Sequence, residues 1–215
     1  MSKQRPKNDL AFNLIELLVI LCVVGILLCI CIPWLDRARM RAKSICCNCN
    51  LKQIGLGFRT WAIDRTNNFP MSLSTNHGGT REYNLSGDVF PHFQAISNEL
   101  STPKVLVCPG DSRQPAADFG TNFANSNLSY FIGIEAQDSF PQMFLSGDRN
   151  LTNGSLSTNR VLELTTNVLA GWTEKLHDGL GNVGLADGSV QQLTTLRLRE
   201  ALKWTGVETN RLALP

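Results

Sequence analysis

Near the start of the chain the sequence turns apolar, and from Leu17 to Trp34 no position is charged. A helix of that length covers a hydrocarbon core of about 30 Å. Beyond Pro33, which is expected to kink the helix, apolar residues return at Cys47, Leu51, Ile54, Phe58 and Trp61. Steps of four and three residues put them on one face of an α-helix. The stretch "TNNFP" after Asp64 and Arg65 breaks the pattern. From Phe12 to Asp64 such a helix is about 80 Å long at ~1.5 Å per residue. Its first half suits a membrane and its second half the core of a domain. Gly55 and Gly57 weaken it locally and allow close packing.

Downstream the period shortens. Residues 66–90 read as a Gly/Asn-rich loop, and Phe90, Phe93, Ile96 and Leu100 predict a short helix. "KVLVCPGD" reads as a β-like run ending at a Pro-Gly turn, and residues 112–127 as loop. "LSYFIGIEA" predicts a strand with Ser129, Phe131 and Gly133 on one face. "NVLAGW", "GNVGLA" and "SVQQLT" predict short strands, and Asp187-Gly188 signals a two-residue hairpin between the last two. "TTLRLREALKWTG" reads as a helix with Thr194 or Thr195 as N-cap and Gly206 beyond its end. The tetrapeptide "LSGD", at Leu85 and again at Leu145, is too short to count as a repeat. The expected fold class is α+β: a long N-terminal helix packed on a small antiparallel sheet.

Composition adds boundaries. The chain has 215 residues, room for one ordinary domain and an anchor. A net charge of +2, with seven of the twenty basic residues beside the apolar run, gives no expectation of nucleic-acid binding. Of seven cysteines, Cys22, Cys29 and Cys31 lie inside the run, where a thiol behaves as a small hydrophobe. Cys46, Cys47, Cys49 and Cys108 belong to the rest of the chain.

Glu16 is the anomaly, a carboxylate within a membrane-sized apolar stretch, where a charge costs at least a few kcal/mol. A cleaved secretory signal fits poorly, because the run ends in "CICIPWLDRAR" with no small-residue cleavage site. A lipoprotein signal fits no better, since Leu28 and Ile30 precede Cys29 and Cys31. Basic residues flank both sides: Lys3, Arg5 and Lys7 before, Arg37, Arg39, Arg41 and Lys43 after. By charge alone the later side would face the cytoplasm.

The segment "AFNLIELLVILCVVGILLCICIP" resembles the N-terminus of type IV prepilins and type II secretion pseudopilins. These carry a short basic leader, a small residue, Phe-x-x-x-Glu, and an apolar helix reaching a Pro. The resemblance implies a leader over 1–11, cleavage between Ala11 and Phe12 by a prepilin peptidase, and N-methylation of Phe12. It implies a filament-core helix over 12–34, its continuation on the domain over 35–64, and a globular pilin-like head over 65–215. Glu16 would then pair with the Phe12 ammonium of a neighbouring subunit, offsetting much of the cost of burying either charge. Ala11 departs from the Gly usual before the cut, and Asn13 from the usual Thr or Ser. The implied partners are other pseudopilin subunits, the prepilin peptidase and an inner-membrane assembly platform. The implied location is a single pass of a bacterial inner membrane, with the N-terminus cytoplasmic and the head periplasmic.

Cys47 lies on the apolar stripe while Cys46 and Cys49 point elsewhere, so Cys47 is the structural thiol and Cys108 its favoured partner. A bridge closing about 60 residues would stabilise by up to ~4 kcal/mol through chain entropy. Two alternatives stay open: reduced, buried thiols, or zinc held by Cys46, Cys47, Cys49 and Cys108. Three ligands from one rigid helical turn converge poorly on a tetrahedral ion.

A second resemblance lies towards the C-terminus. His177, nine intervening residues, then Asp187-Gly188 is similar to a pattern in prepilin-like proteins of planctomycete and verrucomicrobial type. "CCNCNLKQIGLGFRTWAIDRTNNFP" and "VLVCPGD" are similar to segments of the same proteins, with a Cys at the position of Cys47. His177, Asp178, Asp187 and Ser189 also invite a hydrolase reading. No Gly-x-Ser-x-Gly elbow accompanies them, and "GLGNVG" lacks a phosphate-loop lysine. The expectation is no catalytic residue, with His177 hydrogen-bonded to the hairpin and Asp187 explained by its turn. A signal-anchored periplasmic binding or hydrolytic domain using His177 and Asp187 is the alternative. No cofactor is expected. Calcium is the one ion with candidate ligands, in Asp148, Asn150 and Asn153 of "SGDRNLTNG", which reads as loop, and in Asp187; no full EF-hand spacing is present.

Overall fold

The computed structural model describes residues 13–154 and 159–215. The expected cleavage and methylation positions, Ala11 and Phe12, lie outside the described residues. Two compact units divide inside the first helix, after Arg41.

Helix α1 runs from Leu14 to Ile63 without interruption, with Pro33 inside it. In the first unit every described residue up to Arg39 is exposed, among them Leu14, Ile15, Val24, Ile26 and Trp34. An 18-residue window of this helix has a mean hydropathy of 3.2, so it is long and apolar enough to cross a membrane.

In the second unit the same helix turns one face inward. Cys47, Leu51, Ile54, Phe58, Trp61 and Ala62 are buried, as the stripe predicts. Phe58 packs edge-on to Phe69, with ring centroids 6.2 Å apart, and tilted against Phe93 at 6.0 Å. Phe93 belongs to α2 (Phe90–Ala95), which α3 (Ser97–Leu100) follows, so the expected short helix is present as two.

Among the described residues the unit has eight strands: β1 (Tyr130–Gly133), β2 (Phe144–Asp148), β3 (Leu151–Thr152), β4 (Val161–Thr165), β5 (Gly171–Trp172), β6 (Leu180–Leu185), β7 (Val190–Thr194) and β8 (Thr209–Ala213). Six of them form an antiparallel sheet in the order β4-β8-β1-β2-β6-β7, and β3 pairs with β5 in a separate ribbon. Helix α4 (Thr195–Leu202) starts at the Thr194 cap, whose hydroxyl accepts from the Arg197 amide. Tyr130, Ile132, Leu145 and Ala213 join the cluster built on α1. Phe131, Phe144, Val183, Leu185 and Leu212 join a second cluster with Leu198 and Leu202 of α4. The central strands are therefore buried on both faces, a layer more than a helix-on-sheet reading requires.

Three further expectations change. "KVLVC" does not form a strand: Pro103–Leu106 is a 3-10 helix, with the Thr102 hydroxyl accepting from the Lys104 amide, and Val107 after it is extended. "SGD" at 146–148 is not loop but the end of β2. The β6–β7 connection is not a two-residue turn. Gly188 N–H donates to the Leu185 carbonyl and Leu185 N–H to the Ser189 carbonyl, which leaves Ala186, Asp187 and Gly188 as the loop. A two-residue type I′ turn needs positive φ at both central residues; here only Gly188 has it, at 84°. Gly188 also lies against α1, so that a Cβ on Gly55 would stand 3.4 Å from the Gly188 Cα. Arg59 fixes this approach by donating to the Asp187 carbonyl and facing Asp138 at 3.8 Å.

Phe58→Ala should destabilise the domain by about 3–5 kcal/mol, the range for deleting a buried aromatic ring. The measurement is chemical denaturation, with the midpoint falling at unchanged slope.

Candidate functional site

Two places carry chemistry that a simple core does not require. At the start of α1, the Asn13 backbone N–H donates to Glu16 Oε2 at 3.1 Å, and the Ile15 N–H reaches Asn13 Oδ1 at 3.5 Å. Glu16 N–H in turn donates to the Asn13 carbonyl at 3.0 Å. This is a reciprocal cap of the Asn-x-x-Glu kind. Glu16 thus has a local partner, and its carboxylate sits at the end of the helix where the macrodipole favours negative charge.

The second place lies where α1 meets the sheet. Cys47 and Cys108 form a disulfide with Cα atoms 5.3 Å apart. The favoured pairing is the one present, and Cys46 and Cys49 are free and exposed. The Gly110 N–H donates to Cys108 Sγ at 3.3 Å. His177 Nε2 stands 3.4 Å from the same sulfur and 3.4 Å from Asp148 Oδ2. Asp148 Oδ2 accepts from both the backbone N–H and the side-chain amide of Asn182, at 2.7 and 2.8 Å. Its other oxygen, Oδ1, is buried without a partner among the described residues.

The fold brings these groups together by strand pairing. Gly147 of β2 stands opposite Val183 of β6, which places Asp148 beside Asn182. His177 is held just ahead of β6 by an antiparallel bridge to Leu180. Burial drives both partners toward neutrality. It pushes the Asp148 carboxyl up to about 7, against the two Asn182 hydrogen bonds that pull it down. Burial also lowers the His177 imidazole, with Asp178 opposing and Lys43 assisting. Tyr130 belongs to the same region: its hydroxyl accepts from Asn50 Nδ2, which also donates to the Val107 carbonyl. Burial, reinforced by Asp148, raises the Tyr130 phenol.

Asp111, in the segment after Cys108, forms a two-point pair with Arg149 at 2.7 and 2.8 Å and accepts from Ser129 Oγ. Burial would raise its carboxyl, but Arg149 and Ser129 hold it down to about 2. This pair fastens the Cys108 loop to the residue following β2 and had no signal in sequence beyond charge.

His177 and Asp187 are not brought together. His177 meets the disulfide and Asp148, whereas Asp187 lies past the far end of β6, its Oδ1 accepting from the Ser189 N–H. The expected hydrogen bond from the His177 side chain to the hairpin is replaced by these contacts. The calcium candidates are separated by the same strand: Asp148 pairs near the start of β6 and Asp187 follows its end. Asn150 spends its amide on the Thr173 and Leu180 carbonyls. Asn153 donates to the Glu163 carbonyl.

In comparisons with protein-family models, curated proteins and solved structures, nothing matches this chain.

The raised Asp148 carboxyl gives a signed pH effect. Between about pH 4 and pH 7 the folded chain holds a proton here that the unfolded chain has released, so this group's contribution to stability falls as pH rises. Asp148→Asn lacks that titration. Denaturation of both proteins across pH 4–7 should show the variant gaining on the parent as pH rises; a constant difference would mean Asp148 stays ionised throughout.

Proposed function

We propose that this chain is a pseudopilin-like structural subunit, inserted in a bacterial inner membrane, processed by a prepilin peptidase and assembled into a periplasmic or surface filament. The observation that carries the reading is α1, one helix whose apolar first part is exposed at every described position and whose later part supplies the core stripe of a folded domain. An anchor alone has no need of helical continuity into the core. Phe12-x-x-x-Glu16 and the basic leader supply the rest of the argument.

In this reading the Ala11–Phe12 bond is cut on the cytoplasmic face, the new Phe12 amine is methylated, and the helix leaves the membrane for a bundle of like helices. Bundling covers the apolar face that the single chain exposes, and packing supplies the driving force. The cluster Arg37, Arg39, Arg41 and Lys43 opposes export by charge count. The leader outweighs it, because the peptidase meets its substrate only with the leader in the cytoplasm; the long basic side chains then lie along the lipid headgroups. The head belongs to the filament surface or tip. The system served is of the type II secretion kind, and the chain acts by assembly, not catalysis. The hydrolase alternative needs His177 and Asp187 in one site, and no observation favours it.

Mass analysis of protein taken from its native membrane should find a mature N-terminus at methylated Phe12. Intact Met1 in cells with active peptidase would overturn the reading.

Glu16 offers a second test. Glu16→Gln keeps an acceptor for the cap but removes the charge, while Glu16→Ala removes both and costs the helix start on the order of 1 kcal/mol. Both variants should insert in the membrane and both should fail to join filaments. Normal incorporation of Glu16→Gln would reduce Glu16 to a helix cap.

A further inference from the structure

The Cys47–Cys108 disulfide lies in surroundings that a cross-link alone does not explain. Cys47 Sγ, Cys108 Sγ, one carboxylate oxygen of Asp148 and one ring nitrogen of His177 all lie within 4.8 Å of one another, and all four residues are buried. They come from four separate segments: α1, the loop after the 3-10 helix, β2 and the approach to β6. His177 Nε2 sits 3.4 Å from Cys108 Sγ and 3.4 Å from Asp148 Oδ2. For a nitrogen–oxygen pair that is longer than a well-made hydrogen bond of about 2.7–3.2 Å. Donors on a tetrahedral zinc, with bonds of about 2.0–2.2 Å to nitrogen or oxygen and about 2.3 Å to sulfur, stand roughly 3.4–3.8 Å apart. Two edges of that tetrahedron are therefore already present. Asp148 Oδ1, fully buried and without a partner among the described residues, is a free ligand atom beside them.

We propose that the chain has a second state in which, after a dithiol reductant opens the disulfide, Cys47, Cys108, Asp148 and His177 bind one zinc ion. The reductant gives two electrons and two protons: the sulfur–sulfur bond breaks, two thiols form, and the dithiol leaves as its own disulfide. Zinc then displaces the thiol protons, with any proton on the Asp148 carboxyl, to solvent. The imidazole binds as the neutral base through Nε2. The sulfurs must separate from bonding distance to about 3.8 Å, and the three remaining donor pairs, already within 4.8 Å, must settle to a similar spacing; side-chain rotation supplies both. The outer shell is in place. Asn182 holds Asp148 by two hydrogen bonds, and Gly110 N–H points at Cys108 Sγ. A covalent tie between two segments is exchanged for a metal tie among four, so the helix–sheet junction persists in a reducing compartment. The exposed Cys46 and Cys49 have no part in it.

The test uses the full chain in detergent with Cys22, Cys29, Cys31, Cys46 and Cys49 each changed to Ser, reduced with dithiothreitol, desalted without air and given zinc chloride alone. Native mass spectrometry should find one zinc on the reduced protein and none on the oxidised. Competition with a chromogenic indicator should show binding at least about tenfold weaker in His177→Ala and in Asp148→Asn. Cobalt(II) in place of zinc should give tetrahedral d–d bands with thiolate charge transfer; it uses the unsubstituted ligands and so decides even where a variant fails to fold. Absent binding after reduction, equal binding to the oxidised form, unchanged affinity in His177→Ala, or unfolding on reduction that zinc does not reverse would each overturn the proposal.

Discussion

The structure depends on one stripe of a helix. Cys47, Leu51, Ile54, Phe58 and Trp61 recur with the helical period, and this fixes a single line along α1 against which the domain is built. The Phe69 segment and α2 pack on Phe58, the β6–β7 loop closes on Gly55, and Cys108 is bonded to the end of the line at Cys47. Rotating α1 by one residue would swing the line by about 100° and break all of these contacts together. The far face of the sheet does not depend on it, since Leu198 and Leu202 of α4 close that side.

The same line explains why a polar cluster is tolerated at the junction. Asp148 and His177 are both buried, and an isolated ion there would be far costlier than a neutral group. Burial moves each toward its neutral form and Asn182 supplies donors, whereas Asp111, its side chain also nearly buried, keeps its charge because Arg149 and Ser129 partner it. The cluster thus joins two groups that burial holds toward neutrality with one carboxylate that its arginine keeps ionised.

How much of this the sequence discloses follows from range. The stripe is legible because its signal is local, three and four residues apart, and it also singles out Cys47 from its neighbours. The α4 cap and Gly206 after its end are equally local. Strands β4 and β8 escape notice, and β2 is taken for loop, because "FLSGD" is buried at every position and shows no alternation. Asp148 therefore looks like a loop ligand until pairing with β6 sets it beside Asn182. The meeting of His177 with Cys108, separated by 69 residues, has no local trace at all. The Asn13-x-x-Glu16 cap, by contrast, is written in four residues, and the pull of the apolar context hides it.

That cap changes how the charge in the apolar segment is understood. A carboxylate in hydrocarbon is costly when it lacks partners, and Glu16 has the Asn13 amide and the positive end of α1. It is therefore affordable in a single chain in a way that a mid-helix glutamate is not. In the proposed filament a neighbour's ammonium competes for the same carboxylate, and an opposite full charge in low dielectric attracts more strongly than a backbone amide. Assembly would then exchange a sufficient partner for a stronger one. In that filament, a residue partnered alone and more strongly partnered in company would set register without trapping the waiting subunit, so that cap and ion pair would act in sequence at Glu16.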